Sequence, residues 1–274
     1  MRQRHRARTR PPPGAARHAA VRHPPRHPTV IAGPLKGIAA VVLDTDGVIT
    51  DSARVHAAAW KAAFDAHLRE HPPPDPAQRR PFDDRTDYLR YVDGKSRHDG
   101  AASFLASRGL PSDDHAVALV AERKEQLFAA RLRSGDIPAY PGTVRLLRAL
   151  RAEGVKLAAA SASRHARELL DRAQVLDLFE ALVDGAEASR LGLPGKPDPA
   201  LFLEAARRLG QPLTRTAVVE DSLAGVEAGR RGRFALVVGV DRTAGPGTGG
   251  ALLRHGAHLV VRDLAELLTE EAGP

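Results

Sequence analysis

The sequence contains no cysteine, which excludes disulfides and thiolate metal sites and leaves the redox compartment open. No apolar run approaches the roughly 18–20 residues of a membrane span. The N-terminus also lacks the apolar stretch of a secretory signal, so a cytoplasmic protein with no membrane partner is expected. Acidic residues are missing from positions 1–28, which hold eight arginines, six prolines and four histidines. Without those eight arginines the 41 Lys and Arg residues fall to 33, equal to the 33 Asp and Glu, so the formal net charge of +8 sits entirely in that stretch. A basic tail can bind phosphate-rich partners in a salt-dependent way. Its composition reads instead as a disordered extension that cannot bury enough apolar surface to fold. It resembles a transit peptide in being Arg-rich and acid-free, yet it has no apolar helical face; an overextended start site is a further reading. Residues 1–35 are expected to form this disordered tail, and no specific nucleic-acid partner is implied.

What is present centres on Val41-Val42-Leu43-Asp44-Thr45-Asp46-Gly47-Val48. A short apolar run ending in a turn signal reads as a buried strand of a parallel sheet. Ligands bind beyond the carboxyl ends of such strands, near a topological switch point. Asp44 and Asp46, two residues apart, lean the same way there. Carboxylates that close need a divalent cation, a shared proton or a basic group to compensate them. One arrangement makes Asp44 a Mg2+ ligand and nucleophile and Asp46 a proton donor and acceptor. The plainer alternative is a strand end followed by an Asp-rich turn.

Further along, residues 53–69 read as a helix carrying His56, Trp60 and Phe64 at i, i+4 and i+8. The Pro-rich stretch 71–85 reads as a loop, and helices follow at about 99–108 and 113–133. Beyond Pro138 helices and strands alternate: helix 142–153, strand 155–160, helix 164–174, strand 181–183, helix 198–209, strand 216–219, helix 222–230, and strands 234–238 and 258–261. That alternation predicts an α/β fold with a parallel sheet covered on both faces. The helical block 53–135 is then an insertion, a cap over the sheet's active edge, within a core made of 36–52 and 136–274.

Three more strand ends carry polar groups. Ser161 and Ser163 offer hydroxyls and a helix start for an anion, or else a plain N-cap. Lys196 precedes a helix with Asp198 as N-cap and Pro199 at its first position; it neutralises a carboxylate and a phosphate together, or is a surface lysine. Glu220-Asp221 suits a hard cation, or is a solvated acidic cap. In isolation the plain readings hold for the serines and the lysine. Together the groups supply a nucleophile, an acid/base, a phosphate clamp, a charge neutraliser and Mg2+ ligands, a full set for phosphoryl transfer.

In this order Leu43-Asp44-Thr45-Asp46-Gly47-Val48, Ser161, Lys196 and Glu220-Asp221 resemble the four motifs of the haloacid dehalogenase superfamily. Asp51-Ser52, His56 with Trp60, and Gly94-Lys95-Ser96-Arg97 bring the chain close to its β-phosphoglucomutase-like family. The resemblance covers about residues 36–265. It implies a Rossmann-like core with a small inserted α-helical cap. Asp44 becomes the nucleophile that forms an aspartyl phosphate, and Asp46 the general acid/base. The Mg2+ cofactor is held by the Asp44 carboxylate, the Asp46 backbone carbonyl and Asp221, with Glu220 assisting. Ser161 and Lys196 bind the transferring phosphoryl group. His56, Arg97 and Lys124 orient a sugar phosphate and hold its second phosphate, which Ser163 also faces. Thr45 departs from the bulkier apolar residue usual between the aspartates, and the stretch 71–91 is longer than in compact members.

The resemblance implies interconversion of β-glucose 1-phosphate and glucose 6-phosphate by a monomeric enzyme. A sugar-phosphate phosphatase that loses the same aspartyl phosphate to water is the alternative. A binding module with the basic tail as its working part is a third reading, and intact Asp44, Asp46, Lys196 and Asp221 argue against it.

Overall fold

The computed structural model describes residues 29–31, 33–135, 137–243 and 247–270. The stretch 1–28 expected as a tail lies outside the described residues. Thr29–Ile31, within the stretch 1–35 assigned to that tail, instead forms strand β1 and pairs antiparallel with β8 (Leu268–Glu270), and the next turn buries Leu35. The tail boundary moves back accordingly. Both strands are three residues long and pair across almost the whole chain, so no local pattern announces them.

Strand β2 (Ala40–Leu43) is the hub. Among the described residues six strands form one parallel sheet in the order β4-β3-β2-β5-β6-β7. These are β3 (Lys156–Ala160), β4 (Ala181–Val183), β5 (Thr216–Glu220), β6 (Leu236–Val240) and β7 (Leu259–Val261). Alternate side chains of β2 serve different layers, as strand geometry requires. Val41 and Leu43 pack with Leu146, Leu147 and Leu150 of α4 (Pro141–Ala152). Ala40 and Val42 pack with Leu201, Phe202 and Ala205 of α7 (Ala200–Leu209). A strand buried on both sides must be apolar throughout, and all four residues are fully buried. The chain leaves β2 toward β3 and β4 on one side and returns to β5 on the other. The crevice at that reversal lies at the carboxyl end of β2.

The helical block spans α1 (Ala53–Glu70), α2 (Arg97–Ser107) and α3 (Asp114–Ser134). It has its own core around Trp60, Phe64, Phe104 and Val120. The stretch 71–85 is anchored rather than trailing. Phe82 stacks on Phe64 with ring centroids 5.0 Å apart, and the buried Arg108 guanidinium donates to the Gln78 and Arg80 carbonyls and to Asp87. Two linkers join this block to the core. They are tied together by Asp51 N–H to the Pro138 carbonyl (3.0 Å) and Tyr140 N–H to the Ile49 carbonyl (2.9 Å).

The remaining helices are α5 (Ala166–Arg172), α6 (Gly185–Arg190), α8 (Leu223–Arg231) and α9 (Thr248–His255). Two starts differ from expectation. Helix α7 begins at Ala200 with Pro199 in the capping position, while Asp198 Oδ1 accepts from Ala200 N–H at 2.9 Å. Helix α5 begins at Ala166, with Ser163 Oγ accepting from His165 N–H ahead of it. In both, a short side chain closes a turn just before the helix. Helix α6 is only six residues long, and α9 contains Gly249 and Gly250, poor helix formers; neither was legible from periodicity.

Candidate active site

Asp44 follows β2 directly, and its carboxylate is held from two sides. Oδ1 accepts from Lys196 Nζ at 2.5 Å and Oδ2 from the Asp46 N–H at 2.9 Å. Lys196 bridges onward to Glu220 Oε1. The other Glu220 oxygen accepts from the N–H and hydroxyl of Ser222. Both Glu220 oxygens are thus engaged, one by the lysine that also holds Asp44 and one by Ser222; the resemblance gives Glu220 an assisting part in holding the cation. The lysine is 3% exposed. Burial lowers its pKa, but Asp44 and Glu220 outweigh that and keep it charged.

Asp46 is held from three sides, by the outgoing linker, the cap and the core. Its Oδ1 accepts from Ser52 Oγ at 2.5 Å and lies 3.1 Å from His56 Nε2, while Oδ2 accepts from Ser161 Oγ at 3.1 Å. Lys124 Nζ lies 2.9 Å from His56 Nδ1. The ammonium is the donor there, so the imidazole carries its proton on Nε2 and donates to Asp46. Burial and the Lys124 charge keep His56 below its ordinary pKa. Burial also pushes the Asp46 carboxyl up, yet His56, Ser52 and Lys124 overcome it and hold the carboxyl below its usual range. His56 stacks on Phe128 at 3.9 Å. Lys124, His56 and Asp46 thus form one hydrogen-bonded chain, in which His56 uses both ring nitrogens and the ammonium spends one of its three donors.

Asp221 faces the same space. Gly47 adopts a left-handed φ of 80°, and a Cβ there would collide with Asp221 Oδ2, so glycine is required at that step on both counts. From the cap, Gly94 meets Ser222 so closely that a Cβ would strike its Oγ. That contact seats the neighbouring Asp93 beside the Asp221 carboxylate. Burial raises Asp44 to about 8 and Asp93 to about 7, and it raises Asp221 with help from Asp93 and Glu220. Carboxylates outnumber their cationic partner here, the donor set a hard divalent cation fits. Among the described residues no three His, Asp or Glu side chains converge as a ready-made metal cluster. Asp44, Asp221 and a backbone carbonyl are the available oxygens.

One cavity of about 370 Å3 brings the expected residues together: Asp44, Asp46, Lys196 and Asp221 on the core side, His56, Arg97 and Lys124 on the cap side, with Ser163 at the edge. Ser161 and Glu220 stand behind it, fully buried. Sequence reasoning missed Asp93, which reads as turn chemistry beside Gly94, and Arg164 at the cavity wall. It also missed Glu125 and His165. Glu125 Oε2 pairs with Arg97 at 3.1 Å and its Oε1 with His165 Nε2 at 2.7 Å, linking cap to core. Nothing local to either residue signals a partner 40 residues away.

That pair yields a pH prediction. Glu125 raises the His165 pKa, burial opposes and Glu168 assists, while Glu125 itself is lowered to about 2, mainly by His165. A raised pKa in the folded state contributes stability that is full below about 6.5 and is lost as pH rises through the raised value. His165→Gln, which keeps a donor without the charge, should cost about 0.5–1 kcal/mol near pH 6 and converge on the parent by pH 9. Urea midpoints across that range measure it, and a gap that does not narrow with pH would contradict the ion pair.

The family profile described as haloacid dehalogenase-like hydrolase matches residues 38–233. A β-phosphoglucomutase from Mycobacterium tuberculosis is 41% identical over 256 residues, covering 89% of this chain and 98% of the relative. The chain belongs to the haloacid dehalogenase-like hydrolases, in their β-phosphoglucomutase-like family. A β-phosphoglucomutase from Bacillus subtilis is 34% identical over 237 residues, covering 84% of this chain and 92% of the relative. The solved β-phosphoglucomutase of Clostridium difficile superposes with a TM-score of 0.64 at 25% identity, covering 84% of this chain and 93% of that one. The members of this family are enzymes, and this chain has the parallel sheet and helical block of their fold. No helix among the described residues is long and apolar enough to cross a membrane.

Proposed function

We propose that this enzyme interconverts β-glucose 1-phosphate and glucose 6-phosphate through an aspartyl phosphate on Asp44 and a bisphosphate intermediate. The observation that carries this reading is the orientation of Asp46 by Ser52, His56 and Lys124. An acid/base set in place from the cap works when the cap is over the sugar and water is excluded, which suits transfer to a hydroxyl over hydrolysis.

Starting from the phosphorylated enzyme, the ionised Asp46 takes the proton from the C6 hydroxyl of β-glucose 1-phosphate as that oxygen attacks the phosphorus, which breaks the bond to Asp44 and gives the 1,6-bisphosphate. Once the bisphosphate has turned around, Asp44 attacks its C1 phosphate and Asp46 returns the proton to the departing C1 oxygen, giving glucose 6-phosphate and the phosphorylated enzyme again. Lys196 and Ser161 turn from their carboxylate partners to the equatorial oxygens of the transferring group, where charge is spread. Arg97 and Arg164, on the far wall, receive the second phosphate, with Arg97 leaving Glu125. Ser163 stands at the same end. Mg2+ would be held by the Asp44 and Asp221 carboxylates and the Asp46 carbonyl, and it supplies charge neutralisation between nucleophile and phosphate. A monomeric, cytoplasmic enzyme is consistent with this chemistry.

Phosphorus NMR of the pure protein with β-glucose 1-phosphate, Mg2+ and a trace of glucose 1,6-bisphosphate tests the reading. Glucose 6-phosphate should accumulate with little inorganic phosphate, and excess chelator should reduce the rate at least about tenfold. Release of inorganic phosphate without glucose 6-phosphate would make the protein a phosphatase. Full activity in chelator would remove the metal from the mechanism.

A further inference from the structure

Arg242 lies just after β6, outside the cavity and outside every motif, and its guanidinium bonds the loop after Asp46, the start of α4 and the segment after β7. Nε donates to the Gly47 carbonyl at 3.3 Å. Nη2 donates to the Val48 carbonyl at 3.2 Å and to Thr143 Oγ1 at 3.0 Å. Nη1 donates to the Arg262 carbonyl at 3.1 Å and to Asp263 Oδ2 at 3.2 Å. A guanidinium has five N–H donors in a rigid planar fork, and here each has a partner. Its flat face lies 3.8 Å from the Tyr140 ring centroid, and the Tyr140 hydroxyl donates to Asp51 at 3.1 Å.

Gly47, Val48 and Thr143, with the stacked Tyr140 ring, belong to segments that must keep a fixed relation during turnover, while Arg262 and Asp263, just after β7, anchor the guanidinium to the core. Gly47 and Val48 directly follow Asp46. Tyr140 and Thr143 lie where the returning linker enters α4, and Asp51 lies on the outgoing linker. We propose that Arg242 is a positioning residue for the reaction: it fixes the loop carrying Asp46 to both cap linkers, so that the hinge and the acid/base are set by one side chain. The inference rests on the reading of Asp46 given above. Arg242 touches no reacting atom. A lysine, with three donors on a point charge, cannot span the same five partners.

The test separates the two half-reactions. Acetyl phosphate has a leaving group that needs little protonation, so it phosphorylates Asp44 without calling on Asp46. Arg242→Ala and Arg242→Lys should accept phosphate from it within about threefold of the parent rate. Turnover of β-glucose 1-phosphate should fall about thirtyfold or more in kcat with little change in KM. Added guanidinium should recover part of that loss in Arg242→Ala and do nothing to the parent. Amide hydrogen exchange should accelerate at residues 46–52 and 137–143 and stay unchanged elsewhere.

A kcat within twofold of the parent, an equal loss in both half-reactions, or exchange rising throughout the chain would overturn the proposal. Should Arg242→Ala not fold, Arg242→Lys carries the same comparison. If the parent itself neither takes phosphate from acetyl phosphate nor turns over the sugar phosphate, the proposed function fails. The exchange pattern then still decides whether Arg242 sets the hinge.

Discussion

Asp44→Asn is expected to eliminate phosphoenzyme formation and lower turnover at least about 10^3-fold, because an amide is not a nucleophile toward phosphorus. The fold should survive. Asparagine is nearly isosteric, and burial, helped by Glu220 and Asp46, raises the Asp44 carboxyl to about 8 against the pull of Lys196, so the pocket already favours a neutral side chain there. Lys196 keeps Glu220 as its partner. Thermal stability equal to or above the parent, with no mass increase after incubation with phosphodonor, is the expected combination. A variant with more than a few per cent of parental activity would sink Asp44 as the covalent nucleophile.

Lys196→Met should damage stability and turnover together. The ammonium is the cation between Asp44 and Glu220, and it lies 4.8 Å over the Phe202 ring. Methionine fills the volume but leaves buried carboxylates facing one another. Removing one partner of a buried ion pair costs about 3–5 kcal/mol, roughly 6–20 °C in Tm for a chain of this size. The carboxyls can take up protons instead, so the loss should shrink toward pH 5. It should also be smaller when Asp44→Asn is already present, because the two residues share one interaction. Differential scanning fluorimetry of the four-member cycle measures this. A Tm within about 2 °C of the parent at pH 8 would show that the lysine does not balance the site.

Much of this architecture was legible because its signals are local. Ala40–Leu43 is apolar on both faces and stops at two carboxylates, so strand, burial and site edge could be read together. Ser161 directly follows β3 and Glu220 ends β5 for the same reason, while Lys196 comes well after β4, beyond α6. What stayed hidden depends on residues distant in sequence. Glu220 reads as an assisting cation ligand beside Asp221, and its link to Lys196 is invisible in the sequence. Lys124 reads as a phosphate anchor, and its contact with His56 is invisible in the sequence. The β1–β8 pairing, the Glu125–His165 link and the five-point grip of Arg242 each join segments whose own composition is unremarked. Helix starts at Ala166 and Ala200 shifted because Ser163 and Asp198 close turns before the helix and do not cap its first residue.

The place of β2 in the sheet bears on how the protein acquires its structure. Ala40 pairs with Lys156 on one side and with Thr216 on the other. Both neighbours are made more than a hundred residues after β2, and the whole helical block emerges between. That block has nearby partners in its own core and can condense as soon as it is complete. The nucleophile's strand must wait with an apolar surface exposed and both edges open. Such long-range parallel pairing is slow and prone to association. During synthesis, the segment that will carry the chemistry is therefore the part of the chain that most needs shielding.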